Sequence, residues 1–337
     1  PPLSRGGHLV IAEALTAVLR DAGHDAGLIL TPQNRFGRQG SAYLANWLTD
    51  AGQAHDGRPV DQVISLRFPS YAVRHKVHVC WLNHRMREYY DQWSRFSRSL
   101  SQRARVKERV RRRLIHSADH YLLTRNVTRL FAQSRTIQAR LSHWGGIRST
   151  VLHPPPPPRH YRCDEYGDSI LVVSRLTSLK RVDLVVDALC EPVAAGVHCV
   201  IVGDGDAFST LRQRVRENGL EGRVTFLGDV DESELVGELA RCRAVCFPAH
   251  QEDYGLVTVE AFASAKAVIT CDDSGGPTEL VRDGVNGFVT APNPLSLATT
   301  LAMLSEQPDL AERLGQQALR GVSEITWEDT IKQLLLV

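Results

Sequence analysis

Glu252 and Glu260 stand eight residues apart in HQEDYGLVTVEAF (250–262), with Gly255, Leu256 and Val257 between them. The glycine and the apolar run after it read as a loop entering a helix, with Glu252 on the loop and Glu260 on the helix. The amides of Leu256 and Val257 then open that helix, where unpaired N–H groups and the helix dipole favour an anion such as phosphate. Arg175 and Lys180, five residues apart in VSRLTSLK, follow a second apolar run. Two cations at a strand end can hold a diphosphate in place of a metal ion. Gly203-Asp204-Gly205 makes a glycine turn after a third run, without the third glycine of a dinucleotide fingerprint. His84, in WLNHR, closes a further run and is a candidate to face a ligand; His250 beside the glutamates reads as a surface histidine. Each of these residues, taken singly, also reads as solvated surface.

One stretch suggests another chemistry. The D-S-G-G-P of CDDSGGPTEL (271–280) surrounds the nucleophilic serine of trypsin-like proteases. That serine needs a histidine base and an orienting carboxylate, on a β-barrel. Here the letters follow a parallel-strand pattern and precede a helix, with Pro277 suited to the first helical position. The G-x-S-x-G elbow of an α/β-hydrolase is not present there. Ser274 therefore belongs to a glycine turn that lets backbone approach a ligand, and it attacks nothing.

The elements that must position these residues alternate regularly. SILVVSRL, HCVIVGDG, RVTFLGDV, AVCFPA, AVITCD and NGFVTA read as strands, separated by helical patterns in KRVDLVVDAL, FSTLRQRVRENG, ELVGELARC and VTVEAFASA. Strands that are apolar throughout and alternate with helices imply a parallel sheet covered on both faces. Ligands of such sheets bind beyond the C-terminal strand ends, where the residues above fall. HPPPPPR (153–159) enters neither helix nor central strand, so it is an extended connection between domains; an SH3-type ligand is its other reading. Before it, HLVIAEALTAVLRDAGH (8–24) reads as a helix, AGLILT (26–31) as a strand, and VDQVISLRFP and VHVCWLNH hold two more strands. A strand before Ser4-Arg5-Gly6-Gly7, which a doubly wound domain needs, is not readable.

A chain of 337 residues fits two domains. It has no apolar run long enough to span a bilayer and no leading signal peptide is read, which predicts a cytoplasmic protein. The first residue is Pro1, so an upstream natural start is expected. Seven scattered cysteines, mostly inside apolar runs, read as reduced core residues, and Cys242-x3-Cys246 has no second pair for zinc. The net charge of +2 hides an asymmetry: residues 1–150 hold 24 Lys/Arg against 10 Asp/Glu, the remainder 16 against 28. The first part is thus expected to meet something anionic.

These motifs together resemble a retaining glycosyltransferase of family 4. The resemblance covers essentially all of 156–337, through VSRLTSLKRVD, the VGDG turn, FLGDV, FPAHQEDYGLVTVEA and SGGPTELVRDGVNGFV. In residues 1–150 it rests on Gly6-Gly7, on RFPSYAVRHKVHVCWLNHR and on the basic helix that follows. It implies the GT-B fold, an α/β architecture of two Rossmann-like doubly wound domains facing across a cleft. The expected division is 1–153, binding the acceptor; 154–324, binding the nucleotide-sugar; and a terminal helix at 325–337 crossing back to the first domain. The resemblance implies that Arg175 and Lys180 hold the donor diphosphate, that Glu260 takes the ribose hydroxyls and that Glu252 contacts the donor sugar. Backbone near Val230 would edge the base. Gly7, Gly203, Gly255, Leu256 and Val257 would line the donor site, with His84 near sugar and acceptor. The donor would be a nucleoside diphosphate sugar, UDP by family frequency, used with no metal and no cofactor. The reaction would retain configuration through an oxocarbenium-like transition state, with the acceptor attacking on the leaving-group face and its proton passing to a donor phosphate oxygen.

Arg95–Arg113 carries nine Lys/Arg and one acid, Glu108, with Val106, Val110 and Leu114 at i, i+4 spacing. This reads as a basic amphipathic helix for anionic lipid or an anionic acceptor, or else as a solvated face; no nucleic-acid fold accompanies it. Two other classes stay open: an epimerase or phosphorylase on the same fold, and a binding or scaffold protein descended from it.

Overall fold

The computed structural model describes residues 6–31, 37–54 and 56–336. The chain divides into two compact units, Pro1–Pro154 with Trp327–Val337, and Pro155–Thr326. The segment 154–158 between them holds no helix or strand.

The second unit is built on six parallel strands. They are β5 (Ser169–Val173), β6 (His198–Val202), β7 (Val224–Gly228), β8 (Ala244–Cys246), β9 (Val268–Cys271) and β10 (Gly287–Thr290), after four strands, β1–β4, in the first unit. Their spatial order is β10-β9-β8-β5-β6-β7. The chain builds outward from β5 through β6 to β7, then returns to the other side of β5 with β8. β5 pairs with β6 (Leu171↔Val200) and with β8 (Leu171↔Val245). Strand order therefore reverses between β5 and β8, which is where an open parallel sheet leaves a crevice for ligands.

Side chains of β5 alternate between two apolar layers. Ile170 and Val172 join one cluster and Leu171 the other. Both faces of the sheet are covered by helices, which explains why the strands read as unbroken apolar runs. The helix Leu256–Ala263 buries Val257 through Phe262 without a gap.

The first unit has a four-stranded parallel sheet, β1 (Val63–Ser65), β2 (His78–Leu82), β3 (Arg129–Ala132) and β4 (Thr150–Val151), in chain order. The helix Trp327–Leu334 belongs to this unit; Trp327 meets Trp81 edge to face, and Gln62 donates to the Leu334 carbonyl at 2.8 Å.

Two expectations need correction here. AGLILT (26–31) is not a strand: Leu28, Ile29 and Leu30 have no ladder partner among the described residues and are 41%, 62% and 58% exposed. An apolar run becomes a strand only beside an edge it can pair with. The basic segment is not one helix but two, Trp93–Arg98 and Gln102–Tyr121, broken at 99–101 where Ser101 caps the second by accepting from the Ala104 amide. The expectation about a strand before Ser4-Arg5 lies outside the described residues.

All seven cysteines are free and five are buried. No described helix is long and apolar enough to cross a membrane.

Candidate functional site

The site residues of the second unit gather at the C-terminal ends of β5 and β8, on either side of the reversal point. β5 ends in Ser174 and Arg175. Arg175 is exposed and makes no side-chain hydrogen bond or ion pair among the described residues. Ser174 Oγ is buried without a hydrogen-bond partner among them. Lys180 reaches across to the β8 side and donates to Glu252 at 2.6 Å, with its ammonium 5.0 Å from the centre of the Phe247 ring.

The loop after β8 is fixed by backbone and by one arginine. Arg181, in the left-handed conformation at φ 50°, donates to the Pro248 carbonyl and forms a two-pronged pair with Asp273 at 2.5 and 2.9 Å. His250 donates to the same Asp273 carboxylate at 3.0 Å, and its amide donates to the Leu179 carbonyl. Arg181 and Asp273 thus tie together the loops that follow β5, β8 and β9.

The Ser-Gly-Gly-Pro turn locks onto the same loop. The Glu252 amide donates to the Ser274 carbonyl at 2.7 Å, and the Gly276 amide donates back to Glu252 at 3.0 Å. Gly275 has φ +76°, and a Cβ there would sit 2.6 Å from the Glu252 carbonyl oxygen. Ser274 is fully buried, and its Oγ accepts from the Cys271 amide at 3.2 Å. The serine is a structural element of the turn, and among the described residues no histidine hydrogen-bonds to it. Gly203, at φ +124°, lets the β6 turn press on β5: a Cβ there would lie 1.9 Å from the Ser174 carbonyl oxygen.

Gly255 precedes the helix Leu256–Ala263, and no side chain caps that helix. Its first amides, including those of Leu256 and Val257, are therefore available to a ligand. Glu260, one turn further in, is the only charged residue of the helix and is buried. Its carboxylate is held by Arg159, which also donates to Glu232 at 2.9 Å, and by the Tyr161 hydroxyl at 3.4 Å. Burial pushes the Glu260 carboxyl above its usual range, and the Arg159 charge pulls it back. Burial disfavours the Arg159 charge, but Glu260, Glu232 and Tyr161 together outweigh it and hold the guanidinium above its ordinary value. Val230, past the end of β7, packs with Tyr161 and Leu256 on the same apolar cluster.

Arg159, Tyr161, Arg181 and Asp273 were not singled out from sequence. A basic residue closing the proline run was the one visible signal for Arg159. The pairing of Arg181 with Asp273 spans 92 residues and leaves no local trace.

His84 and Gly7 lie in the first unit. His84 donates to the Arg85 carbonyl at 2.8 Å and lines a concavity of about 20 Å³ with Arg85, Tyr90 and Arg140, room for about one water. Gly7 opens the helix Gly7–Asp21, which has no side-chain cap.

Residues 161–320 match the family described as glycosyl transferases group 1. The matched stretch holds all the second-unit site residues except Arg159. A D-inositol 3-phosphate glycosyltransferase of Frankia alni is 31% identical over 184 residues, covering 51% of this chain and 45% of that protein. The chain spans less than half the length of the first curated relatives it matches. Among solved structures, Anabaena HepE in complex with UDP and glucose aligns at TM-score 0.69 and 20% identity, covering 98% of this chain and 96% of HepE. Sucrose-phosphate synthase of Thermosynechococcus elongatus aligns at 0.76 and 17%, covering 97% and 92%. The fold is α/β and of the GT-B type, with two Rossmann-like units.

Proposed function

We propose that this chain is a retaining glycosyltransferase of family 4 that takes a nucleoside diphosphate sugar, with UDP the first candidate, and moves its sugar to an acceptor hydroxyl. The observation that carries this reading is the convergence at the β5/β8 reversal point. An unpaired arginine, a lysine paired with a carboxylate, uncapped helix amides and a buried carboxylate all meet at one sheet edge. HepE, of the same fold, is solved with UDP and glucose.

Each group has a task that its surroundings suit. Arg175 and Lys180 face the diphosphate. As the bond from sugar C1 to the β-phosphate oxygen breaks, charge grows on that oxygen, and the two cations with the Leu256 and Val257 amides stabilise it. No metal is required for this step. Glu260 accepts from the ribose hydroxyls, with Arg159 beside it as its cationic partner. Glu252 accepts from sugar hydroxyls. Glu252 is not assigned a nucleophile's role, unlike the carboxylate of retaining hydrolases. The acceptor oxygen instead bonds to C1 on the face the phosphate leaves, and its proton passes to a phosphate oxygen.

The test is donor turnover across UDP-, GDP- and ADP-sugars, with EDTA present, reading the anomer released before it equilibrates. The reading expects one donor class to turn over, an unchanged rate in EDTA and retained configuration. Inversion, or loss of rate that a metal restores, contradicts it.

A further inference from the structure

The helix Gln102–Tyr121 presents its apolar side to solvent and its acids to the core. Val106, Val110 and Leu114 are 61%, 53% and 67% exposed, while Glu108, Ile115 and Asp119 are buried. Positions four apart advance about 40° around a helix, so the three apolar residues form one stripe that continues to the exposed Tyr121. Single exposed apolar residues are ordinary, but an aligned set on one helix is not.

The buried network explains why the stripe stays outside. Asp119 accepts hydrogen bonds from the hydroxyls of Tyr71 and Tyr90, each at 2.6 Å, and from Tyr43. Tyr89 donates to Glu108 at 2.7 Å. Rotating the helix to bury the stripe would take Asp119 from three phenols and Glu108 from a fourth. Leaving those phenols and both carboxylates unsatisfied costs more than burying three half-exposed aliphatic side chains returns.

Cations flank the stripe. Arg103, Lys107, Arg109 and Arg113 are exposed, and none makes a hydrogen bond or ion pair among the described residues. On one flank, Arg109, Arg112, Arg113 and His116 line a concavity of about 200 Å³ walled by Trp93, ten times the space beside His84. Arg112 lies over the Trp93 ring at 5.0 Å and is held by the Tyr89 carbonyl, so its guanidinium is fixed in place.

We propose that this face docks on an anionic phospholipid bilayer, with a headgroup phosphate seated among Arg109, Arg112, Arg113 and His116 and the Val106–Val110–Leu114 stripe entering the acyl boundary. Charge complementarity selects this occupant: a basic pocket directly beside an apolar stripe matches a phosphate directly beside a chain. The first part of the sequence, with its surplus of Lys/Arg, supplies the longer-range attraction. This docking does not depend on the chemistry of the second unit.

The full chain is sedimented with phosphatidylcholine vesicles, with and without phosphatidylglycerol, at low and high NaCl. Binding is expected to the anionic vesicles alone and to weaken with salt. Each cation at such a surface contributes about fivefold, so Arg109→Ala/Arg113→Ala weakens binding roughly thirtyfold. Val110→Asp/Leu114→Asp weakens it at least tenfold, with thermal unfolding unchanged because both positions are exposed. Arg212→Glu/Arg216→Glu, on the second unit, leaves it intact. Three results overturn the proposal: no binding to anionic vesicles, equal binding to neutral ones, or full binding by Val110→Asp/Leu114→Asp. The last would mean a charged patch alone, of the kind a nucleic acid would also occupy.

Discussion

Glu260 is a carboxylate in a helix whose other residues from Val257 to Phe262 are apolar or small and buried. Such a group is tolerable only while paired. Arg159 is its cationic partner, and both side chains are nearly inaccessible, at 10% and 7% exposure. Arg159→Ala is therefore expected to lower the unfolding free energy by about 3–5 kcal/mol, the cost of leaving a buried charge alone. Adding Glu260→Gln to that variant removes the orphan charge and recovers part of the loss. Urea unfolding of parent, single and double variants reads both effects; a single variant as stable as the parent contradicts the pairing. At this scale the sequence exposed the carboxylates and not their partners. Glu252 and Glu260 announce themselves by spacing around a glycine, but Arg159 lies 101 residues from Glu260. Ser274 shows the reverse: its five-letter context suggests a nucleophile, and only the surrounding strand and helix show it to be a buried turn residue.

The elements of the second unit were legible because most of its strands are buried on both faces; β7, with Thr225 and Leu227 exposed, is the exception. That requirement writes a continuous apolar run, and the helices between the runs keep their own period. The first unit was harder for stated reasons. AGLILT has strand composition but no ladder partner among the described residues. The helix Gln102–Tyr121 has its hydrophobic period on the solvent side, so periodicity points the wrong way. Its core side is written in Glu108, Ile115 and Asp119, whose phenolic partners come from Tyr43, Tyr71, Tyr89 and Tyr90 elsewhere in the chain. β2 adds a buried base. His78 opens the strand, is fully buried and contacts Ser65 Oγ at 2.8 Å. Burial, with a smaller contribution from His75, pushes its pKa down to about 4. The unfolded chain protonates this histidine near pH 6.5 and the folded chain only near pH 4, so the unfolded state binds more protons in that window. Stability from this group is present above about pH 6.5 and falls by roughly 3 kcal/mol as the pH drops toward 4. Unfolding free energies at pH 7 and pH 5 show the fall, and His78→Gln should flatten it. An equal slope in the variant would place the loss elsewhere.

Across the whole molecule, the two units differ in charge, the first being basic and the second acidic. The first unit, rich in arginine, holds the surface proposed to meet an anionic bilayer. The second, more acidic, holds Arg175 and Lys180 near the end of β5, where a diphosphate is proposed to lie. Lys180 and Arg159 each pair with a carboxylate there, Glu252 and Glu260. The central claim is that this edge binds a nucleoside diphosphate. Calorimetric titration of UDP, GDP and ADP into the full chain in EDTA, repeated with Lys180→Ala and Glu260→Gln, tests it most directly. The account predicts that one nucleotide binds the parent, that Lys180→Ala weakens it by roughly ten- to a hundredfold through loss of a charge-assisted contact, and that Glu260→Gln weakens it through the ribose. Binding of no nucleotide, or equal binding by the parent and both variants, would contradict it.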